Sequence, residues 1–288
     1  MQDLHFQILT VNDIAAADQL RALAGWNQTE KDWRRFLDLG QAKCFGAFQK
    51  ETLIGTVSAI AYENDLAWIG MMLVHPDYRR MGIGSGLMRQ AIDWIKGRGG
   101  QCIKLDATPA GQLVYQTMGF VPETNLRRWQ GTEIERQSGS PVRRQSQAQE
   151  LQKEDWPSIL EMDLAAFGVD RSELLQSLVG EARCALVIHN EGGIAALGAL
   201  RAGSHADYIG PVLGRNKQAG RILIENLLAR AGTRLVAWDI PDENSEAQAI
   251  ACSLGFKPAR PFCRMRLGRA SFAAQLQLQF AIADPSLG

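Results

Sequence analysis

From Val74 to Leu87 the chain reads Val-His-Pro-Asp-Tyr-Arg-Arg-Met-Gly-Ile-Gly-Ser-Gly-Leu, residue types that together suit an anionic ligand. Gly82, Gly84 and Gly86 have no Cβ, so backbone N–H groups near them can approach a ligand closely. The apolar periodicity that follows predicts a helix over Gly82–Gly97. A helix start offers unpaired N–H donors and the positive end of its dipole, which fits a pyrophosphate. Arg79 and Arg80 add charge beside it. Two familiar phosphate-binding patterns are not met. Leu87 or Arg89 stands where the third glycine of G-x-G-x-x-G would fall, and there is no Gly-Lys-Ser/Thr of a P-loop.

A strand must deliver this turn, and Leu66–Val74 (LAWIGMMLV) is a nearly continuous apolar run of strand length, as for a central strand covered on both faces. Upstream, Leu4–Thr10 alternates as a first strand, and Ile14–Leu23 and Glu30–Leu39 read as helices. Cys44–Phe48 and Leu53–Ala61 read as a hairpin turning at Gln49–Thr52. Downstream come a strand at Cys102–Ala107 and a helix at Gln112–Met118 that closes at Gly119. This order predicts a mixed α/β fold around one sheet.

The polar stretch Gly131–Glu150 separates a second passage of similar grammar. Helices are expected at Asp155–Phe167, Lys217–Ala231 and Ser245–Leu254, and strands at Ala182–His189, Gly193–Arg201, Asp207–Leu213 and Leu235–Asp239. Gly119–Phe120 and Gly255–Phe256 stand 136 residues apart. At the same offset Arg79, Gly84 and Leu87 fall on Arg215, Gly220 and Leu223. Two copies of one fold follow, with residues 1–132 as the first domain, 133–150 as a linker or entering strand, and 151–288 as the second domain. The second copy has lost chemistry: Gly82 becomes Gln218, and Tyr115 becomes Ala251.

Composition narrows the remaining classes. A chain of 288 residues accommodates two domains of ordinary size, with 46% hydrophobic and 22% charged residues. Lys+Arg and Asp+Glu number 31 each, so no global field favours nucleic acid or an anionic membrane. The five cysteines are scattered, form no C-x-x-C pair and do not cluster with the four histidines, which argues against a metal site or a disulfide framework. Cys102 and Cys184 sit in apolar runs as small buried residues. Without a signal-like N-terminus or an apolar run long enough to span a membrane, the expectation is a cytoplasmic protein.

The pattern Arg79-x-x-Gly82-x-Gly84, with Pro76, Tyr78 and the apolar strand before it, resembles the coenzyme A signature of the GNAT N-acetyltransferase superfamily. Asp106-Ala-Thr108-Pro-Ala-Gly-Gln-Leu-Val-Tyr115-Gln-Thr-Met-Gly119-Phe120 resembles that family's next strand and helix, which end in Tyr-x-x-x-Gly-Phe. The resemblance implies acetyl-CoA as co-substrate, no metal, and direct attack of an amine on the thioester. It implies that Arg79, Arg80, Met81, Gly82, Ile83, Gly84 and Ser85 cradle the pyrophosphate. Met72, Leu73 and Val74 would then meet the pantetheine arm, one of their backbone N–H groups polarising the thioester carbonyl. It also implies that Tyr115 protonates the departing thiolate, a role suited to a phenol with pKa ~10; the alternative is that Tyr115 only packs. Many relatives carry Asn seven residues before the tyrosine; this chain departs with Thr108, which the resemblance places among the cofactor-binding residues.

The attacking amine must lose a proton. Glu63, Asp65 and Asp106 are candidate bases, Asp106 first because it ends its strand; each also reads as a turn or strand-end residue. In this fold the segment Gly25–Thr29 roofs the acceptor pocket, and Trp26 and Asn27 suit a small polar acceptor. The alternative is that Trp26 is core and Asn27–Thr29 cap the next helix. Tyr208-Ile-Gly-Pro-Val212, Asp239-Ile-Pro241, Asp170-Arg171, Arg264-Met265 and the terminal Phe280–Gly288 resemble a bacterial group of tandem-GNAT acetyltransferases. That group implies two tandem GNAT-like domains, the second degenerate and shaping the acceptor site or supporting the fold. Within that group the substrate is generally unassigned, so the resemblance gives architecture and not the acceptor. The expected partner is a small-molecule amine, and with balanced charge neither nucleic acid nor a membrane, in a monomer or homodimer. Two other classes stay open: an acyl-CoA-binding regulatory or scaffold protein without turnover, and a dinucleotide-binding oxidoreductase.

Overall fold

Apolar residues on both faces make Leu66–Val74 a buried strand, and the first group of elements assembles around it. A computed structural model describes residues 3–62, 66–133, 148–232, 235–270 and 274–288. The chain divides into two compact units. One comprises Met1–Leu105 with Arg266–Ala270 and Leu287; the other comprises Asp106–Met265, Ser271–Ser286 and Gly288.

In the first unit the order is β1 (Leu4–Ile8), α1 (Ile14–Leu23), α2 (Glu30–Asp38), β2 (Ala42–Gln49), β3 (Thr52–Ala61), β4 (Leu66–Val74), α3 (Ile83–Gly97) and β5 (Cys102–Ala107), whose last two residues belong to the second unit. The sheet runs β1-β2-β3-β4-β5. It is antiparallel except between β4 and β5, which pair in parallel only at Leu66–Trp68 with Cys102–Lys104. A bulge interrupts β4 where Thr56 opposes Leu73 but Ser58 opposes Gly70, and Met71 there takes φ 47°. The Thr56 hydroxyl donates to the Met71 carbonyl at 2.8 Å and holds the bulge in place. Helix α2 starts at a capping box in which Thr29 and Asp32 exchange hydrogen bonds, so Thr29 does cap the helix.

The second unit carries α4 (Pro109–Thr117), β6 (Val121–Gly131), β7 (Ala148–Glu150), α5 (Trp156–Phe167), α6 (Ser172–Gly180), β8 (Cys184–Asn190), β9 (Gly193–Arg201), β10 (Asp207–Gly214), α7 (Lys217–Leu228), β11 (Val236–Pro241), α8 (Ser245–Ser253), β12 (Lys257–Gly268, its end in the first unit) and β13 (Gln279–Ala281). Its strand order is β12-β6-β11-β10-β9-β8-β7, with β13 on β10. Strand β6 pairs with β11 from Leu126–Pro241 to Gly131–Val236, so this sheet takes a strand that precedes the polar stretch. The core of this sheet and α7–α8 is formed by residues such as Leu223, Trp238, Ile250, Phe256 and Phe280.

Hydrogen bonds show the internal repeat directly. Thr108 Oγ1 accepts from Gly111 N–H at the start of α4, and Asn244 Oδ1 accepts from Ala247 N–H at the start of α8. Phe120 N–H donates to the Tyr115 carbonyl, as Phe256 N–H does to that of Ala251. All of these pairs stand at the offset of 136. Helix α4 begins at Pro109, one turn before the sequence expectation of Gln112, because Thr108 is its N-cap and Pro109 its first residue. Cys102 is buried as expected, whereas Cys184 is half-buried; Cys44 lies deep, and burial pushes its thiol up to about 12.

Candidate active site

Strand β4 ends at Val74, and a 3-10 turn at Pro76–Tyr78 leads into the glycines. Arg80 takes φ 61° and Gly82 φ 78°, two left-handed residues in a turn of the kind that forms anion-binding concavities from backbone N–H groups. Gly82 is the N-cap of α3 and the first helical bond is Gly86 N–H to the Gly82 carbonyl at 3.0 Å. The N–H groups of Ile83, Gly84 and Ser85 therefore precede the helical ladder. Arg79, Arg80 and Met81 are exposed, and Arg79 Nε donates to the Val74 carbonyl at 3.3 Å, tying the turn to the strand that delivers it. Beyond Trp68 the described pairing of β4 runs only to β3, so the edge of Met72, Leu73 and Val74 lies past the point where β4 and β5 pair.

The three glycines differ in their reasons. A Cβ at Gly82 would meet nothing within 4 Å, so the demand there is the positive φ. At Gly84 it would lie 3.1 Å from the Met72 side chain, which brings the helix start against the predicted pantetheine strand. Gly86 corrects the sequence reading. A Cβ there would lie 2.4 Å from the Phe6 ring, so Gly86 is small to seat Phe6 and not to admit a ligand. Gly82→Ala is expected to cost about 1–2 kcal/mol of stability, the range for a left-handed L-residue, and to weaken acetyl-CoA binding; denaturant unfolding and calorimetric titration check the two effects.

In the second unit, Tyr115 lies on α4, half-buried, its ring 5.9 Å from that of Phe120 and tilted 56°. Burial around the hydroxyl pushes the phenol up to about 12 although the residue as a whole keeps some exposure. Thr108 has a defined duty as the cap of α4. Asp106 lies with its side chain buried, and its two oxygens accept from Arg264 Nε and Nη2 at 2.8 and 2.9 Å. That is the arrangement of a structural ion pair, and it counts against Asp106 as the base. Arg264→Lys, which keeps the charge but loses the fork, is expected to cost about 1.5–3 kcal/mol, the range for hydrogen bonds to charged groups, read by urea unfolding.

Trp26 and Asn27 lie half-buried in the first unit after Gly25, which takes φ 66°. The Trp26 carbonyl accepts from Arg21 Nη1 at 2.8 Å, and Arg21 is itself held by Asp18, so a buried arginine fixes the segment. Glu63 and Asp65 lie outside the described residues, as do residues 134–147 of the polar stretch. Among the described residues no group of three or more His, Cys, Asp or Glu side chains could hold a metal ion. No helix of the described residues is long and apolar enough to cross a membrane. The sequence reading did not anticipate the buried ion pairs Arg128–Asp239 and Arg171–Asp163, because partners on separate elements leave no local pattern.

The sequence profile of the acetyltransferase (GNAT) family matches residues 12–120, and that of an acetyltransferase (GNAT) domain matches residues 159–281. The chain belongs to the GNAT acetyltransferase family. It is an enzyme family that uses acyl-CoA, and this member carries two GNAT domains in tandem. The uncharacterized N-acetyltransferase YitH of Bacillus subtilis (strain 168) is 26% identical over 195 residues, which span 66% of either chain. The holothin acyltransferase of Pseudoalteromonas sp. (strain SANK 73390) is 24% identical over 281 residues, 96% of this chain and 90% of that one. A solved protein of Pyrococcus horikoshii superposes with a TM-score of 0.86 at 22% identity, covering 100% of this chain and 97% of the other. A tandem GNAT protein from the clavulanic acid biosynthesis pathway gives 0.70 at 17% identity, covering 94% and 100%. At these identities the two structures speak to the fold, which is mixed α/β as the sequence led one to expect.

Proposed function

We propose that this GNAT enzyme transfers the acetyl group of acetyl-CoA to an amine of a small molecule. The observation that carries the reading is the turn Arg79–Ser85, where left-handed Arg80 and Gly82 precede a helix start flanked by two exposed arginines. Three N–H donors ahead of the helical ladder, with positive charge beside them, match the chemistry of a pyrophosphate. The amine nitrogen attacks the thioester carbonyl carbon, a backbone N–H of Met72–Val74 steadies the oxyanion, and the carbon–sulfur bond breaks. The sulfur takes a proton from Tyr115, the attacking nitrogen sheds its surplus proton to solvent, and solvent returns one to the Tyr115 phenolate. Trp26 and Asn27 contact the acceptor, and Thr108, which starts the helix that carries Tyr115, contacts coenzyme A. Residues 1–132 form the working domain and 151–288 the degenerate one.

The holothin acyltransferase, aligned with 96% of this chain, supports a small-molecule acceptor. The balance of 31 basic and 31 acidic residues favours neither nucleic acid nor a membrane as partner. The reading includes a cytoplasmic monomer or homodimer. A thiol-release assay with acetyl-CoA and a panel of amino acids, polyamines and aminoglycosides tests it, with turnover of at least one amine as the expected result. Tight acetyl-CoA binding with no thiol released by any amine sinks the transferase reading in favour of a binding protein.

A further inference from the structure

We infer that Gln279–Ala283 is an intramolecular ligand filling the strand split of the second unit, which leaves the chain one acyl-CoA site instead of two. The two repeats split their sheets alike. Strands β4 and β5 pair at Leu66–Trp68 and Cys102–Lys104 and no further; β10 and β11 pair only at Asp207–Tyr208 with Val236–Ala237. In the second unit, however, main chain enters the split. β13 pairs antiparallel with β10, Val212 opposite Ala281 and Leu213 opposite Gln279, and Ile282 N–H donates to the Asp239 carbonyl of β11 at 3.0 Å. An extended segment thus hydrogen-bonds to both walls.

The repeat offset shows that the segment also covers positions equivalent to those proposed to serve acetyl-CoA. Gly220, the counterpart of Gly84, lies under the Phe280 ring: a Cβ there would be 2.6 Å from Phe280 Cε1, and one at Gly214 would be 3.0 Å from Cε2. Asn244, the counterpart of Thr108, donates through Nδ2 to the carbonyls of Gln277 at 2.9 Å and Gln279 at 3.0 Å. Phe280, Ala281, Ile282 and Ala283 are at most 1% exposed. Further ties come from Gln279 Nε2 to the Ala166 carbonyl at 2.6 Å and from Arg201, which donates to the carbonyls of both Gly210 and Ala283. Gly210 must be glycine because a Cβ there would lie 2.4 Å from the Ile282 carbonyl oxygen. These contacts give a structural purpose to Gly210 within Tyr208–Val212, to Asp239 and to the terminal run.

The count of one site rests on the acetyl-CoA reading above, whereas the filling of the split does not. Hydrogen exchange of the full chain, with and without saturating acetyl-CoA, separates the two, alongside calorimetric titration with acetyl-CoA. The expected result is exchange in residues 279–283 about a thousandfold slower than in unstructured chain, unchanged by acetyl-CoA, with titration ending at one per chain. Protection of 279–283 without any acetyl-CoA binding upholds the filled split and removes the cofactor reading instead. Exchange at the unstructured rate, release of 279–283 by acetyl-CoA, or two acetyl-CoA per chain overturns the inference.

Discussion

Replacing Tyr115 by phenylalanine is expected to lower the turnover of acetyl-CoA by about 100-fold, the lower bound for a positioned general acid, with little change in acetyl-CoA affinity. The substitution removes one oxygen and keeps the ring that packs beside Phe120 at 5.9 Å, so the helix survives. What is lost, in the proposed reaction, is the proton for coenzyme A's sulfur. A thiolate leaves without it, but more slowly, and this is why rate changes while binding does not. The pH dependence is equally specific. Burial raises the phenol to about 12, so the acid form persists throughout the range below that value. In the wild type, any loss of rate from ionisation of Tyr115 begins only near the top of the accessible range, and the rise with pH tracks deprotonation of the amine. The same shift favours the folded state through the neutral phenol. Its contribution is present below the unfolded value near 10 and is lost as pH rises through about 12. Steady-state kinetics from pH 6 to 10 with a competent amine check the rate. A variant within threefold of wild type across that range removes Tyr115 from the reaction and returns it to packing.

How far the sequence reaches depends on whether a feature is local. Leu66–Val74 declares itself as a nearly continuous apolar run of strand length, and the glycine turn by its own spacing, so both are legible. The repeat is legible because its marks, Gly-Phe after a helix and Arg-Gly-Leu around another, keep one offset; the hydrogen bonds of Thr108 and Asn244 then confirm it atom for atom. Helix α6 has the signs of a start at Asp170, whose Oδ1 accepts from Ser172 N–H, and of an apolar face at Leu174, Leu175, Leu178 and Val179. It goes unread beside a longer helix. Strand β12 hides for a different reason. Lys257, Pro258, Arg260 and Pro261 demote it by composition, and only its burial from Phe262 to Met265 shows a strand inside a sheet. Asp106 is the instructive case. As a strand-end carboxylate near Tyr115 in sequence it reads as a base, but its partner Arg264 stands 158 residues away. No local pattern could connect them. The same holds for the terminal segment, whose apolar run predicts burial without naming the split that receives it.

Asp239→Ala carries the largest expected cost in stability, about 3–5 kcal/mol, because it strands a buried arginine. Arg128 donates to both oxygens of Asp239, at 2.9 and 2.6 Å, and Tyr208 Oη donates to the same carboxylate at 3.0 Å. The Arg128 guanidinium lies 5.4 Å from the Phe262 ring and 5.9 Å from that of Tyr208, and the residue is 7% exposed, so water cannot replace the carboxylate. Burial works against its charge while Asp239, and more weakly Asp284, hold it charged. With Asp239 gone, Asp284 remains as a minor attraction, and Arg260 adds repulsion; that side chain is itself driven down by burial and by Arg128. The two act in opposite directions, and neither replaces the paired carboxylate that offsets the desolvation of Arg128. Removing both charges tells this cost apart from the cavity. Arg128→Met with Asp239→Leu eliminates the stranded ion and is expected to recover more than half of the loss, since a buried pair and apolar groups of similar volume are often equivalent. Urea unfolding of wild type, Arg128→Met, Asp239→Leu and the double variant, with Asp239→Ala alongside and read at constant m-value, measures the coupling. If Asp239→Ala costs less than about 1 kcal/mol, the value typical of exposed ion pairs, then Arg128 reaches water and the pair is not what holds β6 to β11.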